Sequence, residues 1–134
     1  MAYRCVATSV EGFIQQLAVS YVAHGYVHFV TGQVPEGKNP VLVDEKLMAT
    51  YGVAISKFAR ARRKQQGRAN VHYLRFERFW VLLSSEGVHE RFFRMEAGNI
   101  RDARETPIRF GGYAVSYRGG HASVRIDAPH YLKL

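Results

Sequence analysis

Two adjacent glycines near the C-terminus, Gly119 and Gly120, divide a segment in which polar and apolar residues alternate on both sides. Glycine readily takes the positive φ angles of a two-residue type I′ turn, so the flanking residues are predicted to pair as a β-hairpin with Arg118 opposite His121. That register places Tyr113, Val115, Tyr117, Val124 and Ile126 on one face and Ser116, Arg118, His121, Ser123 and Arg125 on the other. Because one face is apolar and the other polar, the pattern supports this register.

The N-terminal part of the chain has helical periodicity instead. Phe13, Leu17 and Tyr21 recur at intervals of four residues, which places them on one face of a helix. Residues 8–11 (TSVE) have the spacing of a capping box, and Gly25 can end the helix with a positive φ angle. The segments on either side, residues 3–7 and 26–31, have the composition of short strands.

Two further helices are predicted from their capping residues. Asn39 followed by Pro40 is a typical helix start, and Gly52 marks the end of that helix. Ser56 can cap a third helix that runs to a glycine at position 67. Its one large apolar residue, Phe58, offers little to bury, so an ordered loop is the alternative.

Residues 71–76 (VHYLRF) and 79–84 (FWVLLS) are predicted strands, joined either as a tight hairpin at Glu77 and Arg78 or as one bent strand. Residues 87–105 are polar and irregular, with room for one helical turn. The chain is therefore predicted to be a single α+β domain over residues 1–134. Its sheet is expected to be mostly antiparallel, with two or three helices on one face and a C-terminal β-hairpin.

Composition excludes several classes of protein. A length of 134 residues with 47% hydrophobic residues suits one domain with a real core. No apolar run approaches the roughly 18 residues of a membrane span, and no secretory signal is recognisable, so we expect a soluble, cytoplasmic protein with no membrane partner. The single cysteine, Cys5, cannot form an intramolecular disulfide and is expected to be a buried thiol.

Positive charge is concentrated in one part of the sequence. The chain has a formal net charge of +8, and residues 56–78 contain eight basic residues against one acid, Glu77. These basic residues are Lys57, Arg60, Arg62, Arg63, Lys64, Arg68, Arg75 and Arg78. On a helix, Lys57, Arg60, Arg63 and Lys64 would share a face while Arg62 points away. Localised positive charge rich in arginine favours a phosphate backbone as partner, although a solvated helix face is the alternative.

The predicted strand after this segment adds an aromatic residue to the cations. Alternation places Val71, Tyr73 and Arg75 on one face, and with that face open to solvent Tyr73 could stack on an unpaired base. Burial of Tyr73 in the core is the alternative. Arg118 and Arg125, on the polar face of the C-terminal hairpin, could supply a second basic strip. Pairing of these arginines with Asp102, Glu105 or Asp127 is the alternative.

Catalytic patterns are weak by comparison. His24 and His28 form an H-x-x-x-H pattern, but Gly25 interrupts it at a predicted helix end, so no metal site is expected. Asp44 and Glu45 are adjacent on a predicted helix and point in different directions. No glycine pattern fits a phosphate loop or a dinucleotide site, and no cofactor or catalytic residue is predicted.

The sequence therefore predicts a small basic protein that binds nucleic acid, DNA or RNA, without evident catalysis. Its predicted binding residues are Lys57, Arg60, Arg62, Arg63, Lys64, Arg68, Tyr73, Arg75, Arg118 and Arg125. One alternative is a metal-dependent nuclease or nicking-type enzyme of a mobile element, so enzymatic activity is left open. A second is a protein-interaction module or homodimer, favoured by the high aromatic content and the Phe92-Phe93 pair.

Overall fold

A computed structural model describes residues 3–127, which form four α-helices and seven strands in two antiparallel sheets. The helices are α1 (Val10–Gln15), α2 (Pro40–Tyr51), α3 (Lys57–Gln65) and α4 (Glu90–Met95), and α1 continues as a π-helical segment (Gln16–Tyr21) and a 3-10 turn (Val22–His24). The strands are β1 (His28–Gln33), β2 (Val71–Phe76), β3 (Phe79–Ser84), β4 (Arg101–Asp102), β5 (Ile108–Phe110), β6 (Tyr113–Arg118) and β7 (His121–Ile126). The predicted α+β class is confirmed. None of the helices in residues 3–127 has the length and apolar character of a membrane span.

The larger sheet, in the order β2-β3-β1-β4, is buried on both faces. Its first face forms one hydrophobic cluster with α1 and with the second sheet, β5-β6-β7; this cluster includes Phe13, Leu17, Phe29, Leu74, Val81, Leu83, Ile108 and Val115. Its second face forms another cluster with α2 and α4, which includes Val30, Tyr51, Val71, Tyr73, Leu82 and Phe92. The almost unbroken apolar run of β3 (FWVLLS) and the four apolar residues of β2 (VHYLRF) supply both faces. The helices are therefore divided between the two faces rather than gathered on one.

The helix ends follow the predicted capping chemistry. The side chains of Ser9, Asn39 and Ser56 accept hydrogen bonds from backbone N–H groups in the first turns of α1, α2 and α3, at 3.0, 3.0 and 3.1 Å. The cap of α1 is thus Ser9 rather than Thr8. Gly52 ends α2 in the left-handed region, with a φ of 65°. Local hydrogen bonding therefore fixes where each of these helices begins.

Both hairpins are present. The C-terminal register is confirmed, with Arg118 opposite His121 around the two-glycine turn. Exposure differs from the prediction, because Ser116 is buried in the central strand while Ile126 is 60% exposed on the edge strand β7. The β2–β3 connection is a tight hairpin in which Glu77 has a φ of 52°. The carbonyl oxygen of Glu77 accepts a hydrogen bond from Arg75, which supports this conformation in place of the usual glycine.

A buried ion pair joins α2 to β2. The Asp44 carboxylate accepts hydrogen bonds from Arg75 Nε at 2.7 Å, from Arg75 Nη2 at 2.8 Å and from the Tyr73 hydroxyl at 2.6 Å. Asp44 is 3% exposed, Arg75 6% and Tyr73 0%. The alternative, burial of Tyr73 in the core, is therefore correct, and Arg75 does not lie on an open stacking face, because a carboxylate on α2 holds both inside. Burial, with Asp44 nearby, also raises the pKa of the buried Cys5 thiol to about 11.

Replacing Asp44 with alanine should lower the free energy of unfolding by roughly 3–5 kcal/mol, because the Arg75 guanidinium is left buried without a counter-charge. The exposed neighbour provides a control, since Glu45→Ala should change stability by less than about 0.5 kcal/mol. Urea unfolding of both variants measures the difference. Equal stabilities would contradict a structural role for the pair.

A cluster of aromatic rings surrounds His72 beside the first cluster. Its ring stacks on Tyr21 with centroids 4.3 Å apart, and its Nδ1 lies 2.7 Å from the Tyr3 hydroxyl. The Tyr3 hydroxyl also accepts the Tyr73 N–H at 3.2 Å, which closes part of the outer edge of β2. Burial, with the positive charge of Arg60, lowers the pKa of His72 to about 3. The imidazole is therefore neutral at physiological pH.

This buried neutral histidine predicts acid sensitivity. Below about pH 6.5 the unfolded chain binds a proton at His72 and the folded chain does not, so stability falls as pH falls towards 3. The loss attributable to His72 between pH 7 and pH 5 should be about 2 kcal/mol. Denaturant unfolding at the two pH values measures it, and His72→Phe should flatten the dependence by that amount. An equally steep dependence in the variant would contradict this origin.

Candidate functional site

Helix α3 is attached to the rest of the protein by arginine rather than by apolar burial. No residue of α3 is fully buried. Arg60 Nη2 donates to the carbonyl of Val53, and to that of Val71 at 3.3 Å, while the Asn70 amide donates to the Arg60 carbonyl at 3.1 Å. The third helix therefore forms as predicted although Phe58 is not buried. Arg60 is a docking residue and not a free cation.

Arg63 continues this attachment one turn later. Its Nη2 donates to the carbonyl of Ala69 at 2.6 Å and its Nε to the Asn70 side chain at 3.2 Å. Burial, followed by the positive charges of Arg68 and Arg60, lowers the pKa of its guanidinium. Hydrogen bonds thus fix the Arg63 guanidinium close to the positive charges of Arg60 and Arg68. Its Nη1 forms no hydrogen bond within residues 3–127.

A groove lies between the end of α3 and α4. It has a volume of about 300 Å³ and is lined by Arg63, Arg68, Val88, His89, Glu90, Arg91 and Arg94. Four of these residues are arginines and one is a carboxylate. Within residues 3–127 none of the four arginines forms an ion pair with an acidic side chain. The groove therefore concentrates positive charge that the described part of the chain does not neutralise.

Backbone hydrogen bonds bring the two sides of the groove together. The Ala69 N–H donates to the Val88 carbonyl at 2.9 Å, and the Val88 N–H donates to the Gly67 carbonyl at 3.0 Å. This isolated parallel bridge places Arg68 next to the segment that leads into α4. Segments that are distant in sequence thus face a common space.

His89 sets the position of α4. Its Nδ1 accepts the Phe92 N–H at 3.2 Å, so the proton is on Nε2, which donates to the Tyr51 carbonyl at 3.0 Å. Burial, together with the positive charges of Arg63 and Arg68, lowers its pKa, although the bond to Tyr51 opposes this. Both ring nitrogens are occupied. His89 therefore orients the helix and adds no charge to the groove.

The structure separates the predicted binding residues into four groups. Lys57, Arg62, Lys64 and Arg68 are exposed on or after α3; Arg60 and Arg63 are half-buried; Tyr73 and Arg75 are buried; and Arg118 and Arg125 are exposed on the second sheet. Arg63 and Arg68 line the groove. Arg118 and Arg125 do not line it, so the second basic strip that they were predicted to supply is not part of this groove. Of ten predicted positions, the groove contains two.

Arg91 and Arg94 were missed by the sequence analysis. They lie in a segment predicted to be irregular, yet their spacing of three residues places them on one side of α4. Phe92, between them, is fully buried and anchors the helix, while Phe93 is partly buried. Recognising Phe92 as an anchor would have placed both arginines at the surface.

No group of three or more His, Cys, Asp or Glu side chains in residues 3–127 is arranged to hold a metal ion. His24 is exposed at the end of the helical segment, whereas His28 begins β1 and its Nε2 lies 3.3 Å from the Glu86 carboxylate. The two histidines of the H-x-x-x-H pattern are thus not joined in one site. Asp44, one of the two adjacent carboxylates considered above, forms an ion pair with Arg75.

Comparison with known proteins identifies no relative. No protein-family model, no curated protein and no solved structure matches this chain. Function must therefore be inferred from the charge and geometry of the groove.

Proposed function

We propose that the protein binds nucleic acid, with the groove between α3 and α4 receiving backbone phosphates. The observation that carries this proposal is the convergence of four arginines and one carboxylate around a space of about 300 Å³. Further phosphates along the nucleic-acid strand would contact the exposed cations of α3, which are Lys57, Arg62 and Lys64. Phosphate is common to DNA and RNA, so the proposal covers both.

Arginine suits this task because of its geometry. The guanidinium is planar, stays charged at physiological pH and forms paired hydrogen bonds to phosphate oxygens. Arg63 is fixed by its bonds to Ala69 and Asn70, and Arg91 Nη1 donates to the Thr50 carbonyl at 3.2 Å. Two arginines are thus positioned before a ligand arrives, which reduces the entropic cost of binding.

The other two groove arginines differ from this pair. Arg68 and Arg94 are exposed, and within residues 3–127 their side chains make no hydrogen bond or ion pair with the protein. Their guanidinium groups are therefore available for a phosphate. Substitutions at these two positions remove charge and leave the hydrogen bonds that support the fold in place.

Replacing Arg68 and Arg94 together with glutamine should weaken nucleic-acid binding and flatten its salt dependence. The slope of log K against log salt should fall by about 0.7–0.9 for each phosphate that the variant no longer neutralises. Fluorescence anisotropy with labelled single-stranded and double-stranded DNA and RNA, at several salt concentrations, measures the slope.

Arg118→Gln combined with Arg125→Gln is the matched control, because it removes the same formal charge from the second sheet. This control should retain the wild-type slope. Absence of binding by the wild-type protein at low salt would overturn the proposed function. Equal slopes for the two double variants would remove the groove from the interface.

A further inference from the structure

Phe58 is the most exposed of the large apolar side chains in residues 3–127. It is 83% exposed on the second residue of α3 and belongs to neither hydrophobic cluster. The helix is held by arginine contacts instead, so Phe58 contributes nothing visible to the packing of α3. Single exposed apolar side chains are common on protein surfaces, so the argument for a partner rests on the charges that surround this ring and not on its exposure alone.

The surroundings of Phe58 are cationic. Lys57 precedes it, and Arg62 lies four residues later, on a neighbouring part of the helix surface about 5–6 Å away between Cβ atoms. Helix α3 (KFARARRKQ) contains no acidic residue. Arg63, at the edge of the groove, is five residues further along, which is about 7.5 Å along the helix axis. The two side chains are also roughly 140° apart around the helix, so the ring and the groove lie on different sides of α3. An extended ligand can contact both by passing around the helix over its exposed cations, Arg62 among them.

We propose that Phe58 stacks on an unpaired base and that the nucleic-acid ligand is single-stranded. This inference rests on the proposed function, because the groove and the exposed cations of α3 must hold the phosphates while the ring contacts a base. Every base has a flat π-face, so such a contact does not require a particular sequence. The neighbouring Arg62 adds a second planar group suited to stacking or to a phosphate.

The preference for a single strand follows from the cost of reaching a base. Stacking on an aromatic side chain strengthens binding to an unpaired base by roughly five-fold to a hundred-fold. In a duplex both faces of each base are covered, so the ring must first separate two stacked base pairs, at a cost comparable to that benefit. The groove contributes phosphate contacts to either ligand. The ring is therefore the feature that discriminates between them.

The test compares wild-type protein with Phe58→Ala, Phe58→Leu and Phe58→Trp on three labelled probes. The probes are a mixed-sequence single strand, the same strand annealed to its complement, and an abasic strand of equal length. Leucine keeps apolar bulk without a flat ring, whereas tryptophan keeps the ring. Because the side chain is exposed, all three variants should fold, and thermal unfolding verifies this.

On the ordinary single strand we expect Phe58→Ala and Phe58→Leu to lose roughly five-fold to a hundred-fold in affinity, and Phe58→Trp to retain it. On the abasic strand and the duplex the four proteins should bind alike, with an unchanged salt slope. Wild-type affinity of Phe58→Ala for the single strand, or an equal loss of affinity on the abasic strand or the duplex, would overturn the inference. If the Phe58 variants give either of those results but the Arg68→Gln, Arg94→Gln double variant weakens binding, the stacking inference fails and the proposed function stands. Failure of the wild-type protein to bind any probe overturns both.

Discussion

The pairing of Asp44 with Arg75 is the interaction on which the rest of the structure depends. It lies between α2 and the central sheet, and the Tyr73 hydroxyl shares the same carboxylate. A buried ion pair of this kind adds little net stability over an apolar contact, but a single unpaired partner is costly. The pair therefore fixes the position of α2 on β2 more than it strengthens the fold.

The position of α2 in turn determines the position of the groove. Three carbonyl groups at or just after its C-terminal end accept hydrogen bonds from α3 and from the segment that contains α4, the two elements on either side of the groove. The Thr50, Tyr51 and Val53 carbonyls accept from Arg91, His89 and Arg60, respectively. Carbonyl groups at a helix C-terminus lack intrahelical partners and carry partial negative charge, so they favour cationic donors. The end of α2 thus organises both walls of a surface that is otherwise crowded with positive charge.

Local rules predicted much of the fold. The turn at Gly119 and Gly120 fixed the register of the last hairpin, and Ser56 correctly marked the start of α3, because these features depend on neighbouring residues. For the burial of Tyr73, the local pattern left two alternatives open. Tyr73 and Arg75 alternate as expected, but their burial depends on Asp44, 31 residues away from Arg75 in sequence. Likewise, Arg68 lines the same groove as Arg91 and Arg94 because a backbone bridge to Val88 brings the two segments together.

The basic segment also shows why composition alone could not define the candidate site. Arg60 and Arg63 are three residues apart and face the protein, where their guanidinium groups satisfy backbone carbonyls; Arg62 between them faces solvent. A substitution at Arg60 would remove a contact that holds α3 in place. The positions of all the cations on that helix would then change together. Loss of binding in that variant would therefore report on the fold. Only exposed positions such as Arg68, Arg94 and Phe58 separate contact with a ligand from the stability of the helix that presents it.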